Sequence, residues 1–207
     1  MLRHIARFGT LLATLGASFL PAGAIAQQRI ALEGQGGIAI PGKQLHQFEN
    51  AGPGANLEVD YRLSSRLMLD AYGAFDRLTG QTVSTTIAPD LDVMNYGIGI
   101  KANLVPTTAR HWRLLARVGV GGSTIRSDKF AIDTTSQFDH TYPSTMGGLQ
   151  AGYQFRSGFG AFVGTDIFWT FAKQDDTSLF HGLNPATIQA FSKAWTAPIM
   201  AGVQVAI

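Results

Sequence analysis

Through residues 92–105 the chain alternates apolar with polar or small side chains without a break. Met94, Tyr96, Ile98, Ile100, Ala102 and Leu104 fall on one row, and Asn95, Gly97, Gly99, Lys101 and Asn103 on the other. Successive side chains of a β-strand point to opposite faces, so this period predicts a strand with one greasy face. The same test succeeds over 55–63, 67–75, 112–120, 149–155, 159–171 and 197–207, and less cleanly over 30–40, where Glu33 and Gln35 share the inner row. Eight strands are therefore expected.

The connections between them alternate in length. Long ones at 41–52, 79–90, 126–143 and 174–193 take turns with short ones at 64–65, 106–110 and 157–158. Lipid-embedded barrels show this order, with short periplasmic turns and long extracellular loops. A hydrocarbon solvent leaves no water for unpaired backbone, so a sheet that crosses it must close on itself. The expected fold is all-β, an eight-stranded antiparallel up-and-down transmembrane β-barrel over 27–207. In the last long loop Asn184 and Pro185 suit a helix start, with Ile188 and Phe191 one turn apart.

The first 26 residues read as a secretory signal. Arg3, His4 and Arg7 precede an uncharged apolar run from Phe8 to Leu20, and Ala24-Ile25-Ala26 offers a small-x-small cleavage site. Its removal changes the charge picture. Lys plus Arg falls from 16 to 14, matching the 14 Asp plus Glu, so a sequence pI near 9.0 belongs in part to the discarded peptide. No basic stripe remains, and nucleic acid is excluded as a partner. No run of 18 apolar residues follows the signal, which excludes a helical span. With no Cys in the chain, disulfides and thiolate chemistry are excluded as well.

The inner rows carry both signs of charge. Glu33, Glu58, Asp60, Asp70 and Asp166 face the bore with Arg62, Lys101, Arg113, Arg117 and Arg156. Eight strands enclose only enough space for side chains, so the expectation is a balanced, paired network with trapped water rather than a channel. Inner glycines (Gly97, Gly99, Gly119, Gly121, Gly152, Gly164) would leave room for the long Arg side chains. Aromatic residues collect where strand ends are expected. Tyr61, Trp112, Phe155 and Phe159 lie on the periplasmic side, and Phe75, Trp169, Phe171 and Trp195 on the outer side, as girdles at headgroup level.

Strand number, alternation and loop order together resemble the small outer-membrane β-barrel family, the OmpA-type transmembrane domains and the OmpX/Ail-like proteins. The likeness covers nearly all of 27–207 and rests on no single motif. It implies a place in the cell outer membrane, among its lipids, reached with the help of the barrel-assembly machinery. Family members usually end in an aromatic residue; here the position is Ile207. Because the sequence stops at the eighth strand, the peptidoglycan-binding domain of OmpA-type proteins is not implied. Pro198, unable to donate to a ladder, is expected near the outer rim of that strand.

Some eight-stranded barrels modify lipid A, so catalytic groupings were sought. The mature histidines are His46, His111, His140 and His181, and only His140 with Ser144 and Asp139 resembles a base, nucleophile and acid. Its spacing matches no deacylase motif. Asp175 and Asp176 could face a divalent cation but lack the spacing of a cation loop, and a solvated acidic loop explains them more simply. Gly34, Gly36 and Gly37 precede a strand rather than a helix and form no phosphate loop. No catalytic residue, cofactor or metal ligand is expected. The function expected is a non-enzymatic envelope barrel with a structural or surface-contact, adhesion-like role, its four extracellular loops meeting an external ligand. The alternatives are a narrow porin or solute-binding barrel, a lipid A-modifying enzyme and a secreted soluble β-sandwich.

Overall fold

The computed structural model describes residues 29–43, 45–47, 49–83, 86–87, 90–105, 111–127, 138–155, 158–171 and 195–207. The proposed signal segment, Arg156, the loop acids Asp175 and Asp176, His181 and the helix expected near Asn184 lie outside them.

Eight long strands form the body: β1 (Ile30–Pro41), β2 (Gly52–Arg62), β3 (Leu67–Gly80), β4 (Leu91–Asn103), β5 (Trp112–Ser127), β6 (Phe138–Gln154), β7 (Phe159–Thr170) and β8 (Trp195–Ala206). Each pairs antiparallel with its neighbour in sequence, and β1 pairs with β8, so the sheet has no open edge. The register fixes the shape. From Gln35 the partners run one way through Asn56, Ala74, Asn95 and Ser123 to Tyr142, and the other way through Gly202 and Phe162 to Gly152. The two routes meet β6 ten residues apart, a shear of ten that tilts the strands strongly against the barrel axis.

Burial follows the alternation and is inverted relative to a protein dissolved in water. Ile98 is 67% exposed and Val118 65%, whereas Lys101 on the opposite face is 0% exposed. Exposed apolar side chains ring the whole barrel, from Ile30 to Ile40 on β1 and from Ile100 to Met94 on β4. Ten residue steps at ~3.3 Å, tilted by ~45°, span about 23 Å, close to the ~25 Å apolar band of outer-membrane barrels.

Two features depart from the sequence-based expectation. The hairpin of β5 and β6 is far longer than expected, paired out to Ser127 and Phe138, so much of the supposed 126–143 loop is strand. The extension has no apolar outer row, so alternation could not mark it as strand. Strand β3 likewise continues to Gly80, so Phe75 is exposed along the strand rather than at its end. Pro198 lies toward the loop end of β8, as expected, but is fully buried. It pairs with Ala39 of β1, while the β7 ladder lapses between Thr165↔Ile199 and Phe168↔Thr196. A residue without an N–H can be held from one side only.

Candidate functional site

The bore is the only enclosed space such a barrel possesses, and its filling is layered. Toward the end with the short turns, two cations organise the carboxylates. Lys101 Nζ meets Glu33 (2.9 Å), Asp60 (2.9 Å) and Glu58, while Arg117 meets Asp70 (2.7 Å), Asp166 (2.8 Å) and the same Glu58. Glu58 thus couples both clusters. Gln35 and Asn56 donate to Glu58, and Gln150 and Gln204 donate to Glu33. A buried charge is tolerated only when its partners replace water, and here each cation faces three acids.

Local sequence makes room for these groups through glycine. A Cβ on Gly99 would lie 2.7 Å from Asp70 Oδ1, and one on Gly148 only 1.9 Å from Asp166 Oδ1. One on Gly97 would lie 2.7 Å from the Tyr72 hydroxyl. The inner glycines therefore shelter acids and Tyr72 more than the long arginines for which they were expected.

Among the described residues the ion pairs gather on two of the expected bases. Glu33, Glu58, Asp60, Asp70 and Asp166 converge on Lys101 and Arg117, five acids on two bases. Arg62 and Arg113 form no ion pair with these acids, although Glu33 and Asp60 act on Arg113 electrostatically. They stand at the turn end, half-buried, where the bore widens and long side chains reach water. Arg156 lies outside the described residues.

Above the ions the Arg117 guanidinium lies over the Tyr72 ring at 5.3 Å, and Tyr72 packs with Ala74, Met146 and Phe168. Next comes a belt that the sequence did not disclose. Asp76, Asn95, Ser123, Ser144, Thr170 and Thr196, one from each of β3 to β8, are all buried. Asn95 pairs with Ser123 and Ser144 with Thr170, while Thr196 Oγ1 donates to Asp76 at 3.4 Å. Asp76 Oδ1, both amide atoms of Asn95 and the Ser123 and Ser144 hydroxyls have no partner among the described residues, the setting in which internal water serves. A signal existed: continuing the 70, 72, 74 row by one step reaches Asp76.

The loop end is shut by grease. Leu78, Leu91, Val93, Ile125 and Tyr142 converge with Ala39 and with Leu45, which a short 3-10 turn (Leu45–Gln47) presents from the first long loop. That loop is tied down by Gly42 N–H donating to Trp195 O, by the strand Glu49–Asn50 on the end of β3, and by Gln81 Nε2 donating to the carbonyls of His46 and Glu49. Burial, with the nearby Asp90 charge, pushes the Glu49 carboxyl up to about 8.

Of the expected girdle, Tyr61, Trp112, Phe155 and Phe159 are exposed at the turn end, with Tyr153 in edge contact with both Trp112 and Phe155. Trp169 and Phe171 are exposed toward the loop end, and Trp195 is half-buried over Gly42. Of the His140, Ser144 and Asp139 grouping, the first two are not brought together, and the Asp139 side chain lies outside what is described. His140 and Ser144 are four residues apart on one strand, about 13 Å at strand rise, and His140 stacks on Tyr142 instead. Among the described residues no cluster of three His, Cys, Asp or Glu is arranged to hold a metal.

No protein-family model matches the chain, and no curated protein matches its sequence. Solved structures do match. Neisserial surface protein A (NspA) superposes with a TM-score of 0.59 at 10% identity, over 86% of this chain and 97% of that one. Ail, the attachment invasion locus protein of Yersinia pestis, overlaps with a TM-score of 0.47 at 13% identity, over 84% and 94%. The N-terminal β-barrel domain of Pseudomonas aeruginosa OprF gives 0.49 at 13%, over 86% and 98%. The chain therefore shares the closed eight-stranded fold of NspA, the fold that its alternation and loop order imply.

Proposed function

We propose that the protein is a non-enzymatic outer-membrane barrel that acts through its surface rather than through its bore. The observation that carries this reading is the double closure of the interior, by the Lys101 and Arg117 ion pairs at one level and by the Leu45, Leu78, Val93 and Ile125 cluster at another. A body sealed twice serves as a scaffold. What it presents outward is the folded first loop and the long β5–β6 hairpin, where Thr124 and Thr141 hydroxyls meet at 2.7 Å across the strands. The lipid-facing belt supports the membrane location, and NspA, whose fold the chain shares, is by name a surface protein. On this reading the turn end faces the periplasm, and the four long connections are extracellular, with a structural or surface-contact role.

Planar-bilayer recording of the purified protein tests the reading. No steady current is expected. A steady ion current would favour the narrow porin instead.

A further inference from the structure

A second feature of the bore lies outside both seals. At the turn end a cavity of about 150 Å³ opens between Arg62 and Arg113, with Ser64, Ser65 and Asn103 at its edge. That is far more than the ~10–15 Å³ that one water requires. Its polar lining consists of donors. The two guanidiniums are close enough to act on each other electrostatically. Neither forms an ion pair with a described residue. The Ser64 hydroxyl oxygen already accepts from the Arg66 and Leu67 amides, which leaves its O–H to donate. Asn103 Oδ1 accepts from Val105 N–H, which leaves its amide nitrogen to donate. No carboxylate lines the cavity, whose inner wall is buried Met68 and Leu115, although Glu33 and Asp60 act on Arg113 electrostatically from deeper in the bore.

Two cations at one cavity repel each other, the acids on the far side of Arg113 do not lie between them, and the guanidinium fork matches tetrahedral oxyanions. We propose that this cavity is a binding site for a phosphate-class oxyanion. Each arginine directly follows an exposed girdle aromatic, Tyr61 before Arg62 and Trp112 before Arg113, with the ring outward and the cation inward. The site therefore sits at headgroup depth, within reach of either a free anion or the phosphate of a lipid headgroup.

The test uses the full barrel in dodecyl maltoside micelles, which carry no phosphate, titrated with sodium phosphate against sodium chloride at equal ionic strength. The readout is NMR of the Arg62 and Arg113 guanidinium N–H groups and of the Asn103 amide. Saturable shifts confined to these groups are expected. Affinity should fall about tenfold in Arg113→Gln, the loss of one charge-assisted fork, and be abolished in Arg62→Gln/Arg113→Gln, with heat-modifiable gel migration unchanged. Should the double variant fail to fold, Arg113→Lys carries the test, since it keeps the charge but loses the fork and should still weaken binding. Absent shifts, or shifts that persist unchanged in these variants, overturn the proposal. Repeating the titration in phosphatidylglycerol nanodiscs separates the sources. Resonances already at their phosphate-bound positions before titration identify the lipid headgroup, and resonances still at their free positions identify the soluble anion.

Discussion

Lys101 is one of the two cations that organise the interior's carboxylates, and its loss should be correspondingly severe. In Lys101→Met the stem volume is retained, but Glu33, Glu58 and Asp60 are left without their shared cation. Removing one partner of a buried pair costs about 3–5 kcal/mol, so urea unfolding in vesicles should show a drop of that order. Glycine offers a sharper contrast at the same scale. Gly148→Ala drives a Cβ to 1.9 Å from Asp166 Oδ1 and 2.7 Å from the Thr165 carbonyl, whereas Gly73→Ala meets nothing within 4 Å. The first substitution should cost about 1–3 kcal/mol, as overpacking does, and the second should stay within about 0.5 kcal/mol of wild type. Comparing the two unfolding midpoints in one lipid checks both values.

Among the elements, the first long loop carries a buried acid, Glu49, beyond the barrel's apolar belt. The Glu49 carboxyl titrates near 8 when the loop is docked, against an ordinary 4.5 when it is free. The docked state thus holds the proton more tightly. Its stabilisation is complete below about pH 4.5 and is lost as the pH rises through 8. Cleavage by trypsin after exposed Lys43 should accelerate across that interval, and Glu49→Gln should flatten the profile. A profile in Glu49→Gln as steep as that of wild type would assign the pH dependence to another group. The β5–β6 hairpin illustrates a different limit. Residues 121–127 have no apolar outer row, and their strand character follows from pairing with the neighbouring strands.

For the whole molecule, the decisive question is which solvent the belt meets. Ile98 is among the most exposed apolar residues and lies near mid-belt. If its surroundings are hydrocarbon, Ile98→Arg should cost about 2–4 kcal/mol of folding free energy in vesicles. In water the same exposed substitution would stay within about 0.5 kcal/mol. A near-neutral result would refute the membrane reading, and with it the proposed surface role.

Fold and orientation of every barrel strand were legible in the sequence because a closed sheet in lipid imposes a period of two, which two adjacent residues already begin to reveal. Ile98 and Lys101 could be assigned to opposite faces without knowing any neighbour. The partners could not be assigned in that way. Glu33 reaches Lys101 across 68 residues because strand register and a shear of ten bring those positions to one level. The same geometry gathers the five acids of the inner rows on two bases, leaving Arg62 and Arg113 together at the mouth. It also gathers Asp76, Asn95, Ser123 and Ser144 into one belt. Faces are a local property of the chain, whereas levels exist only once the barrel has closed.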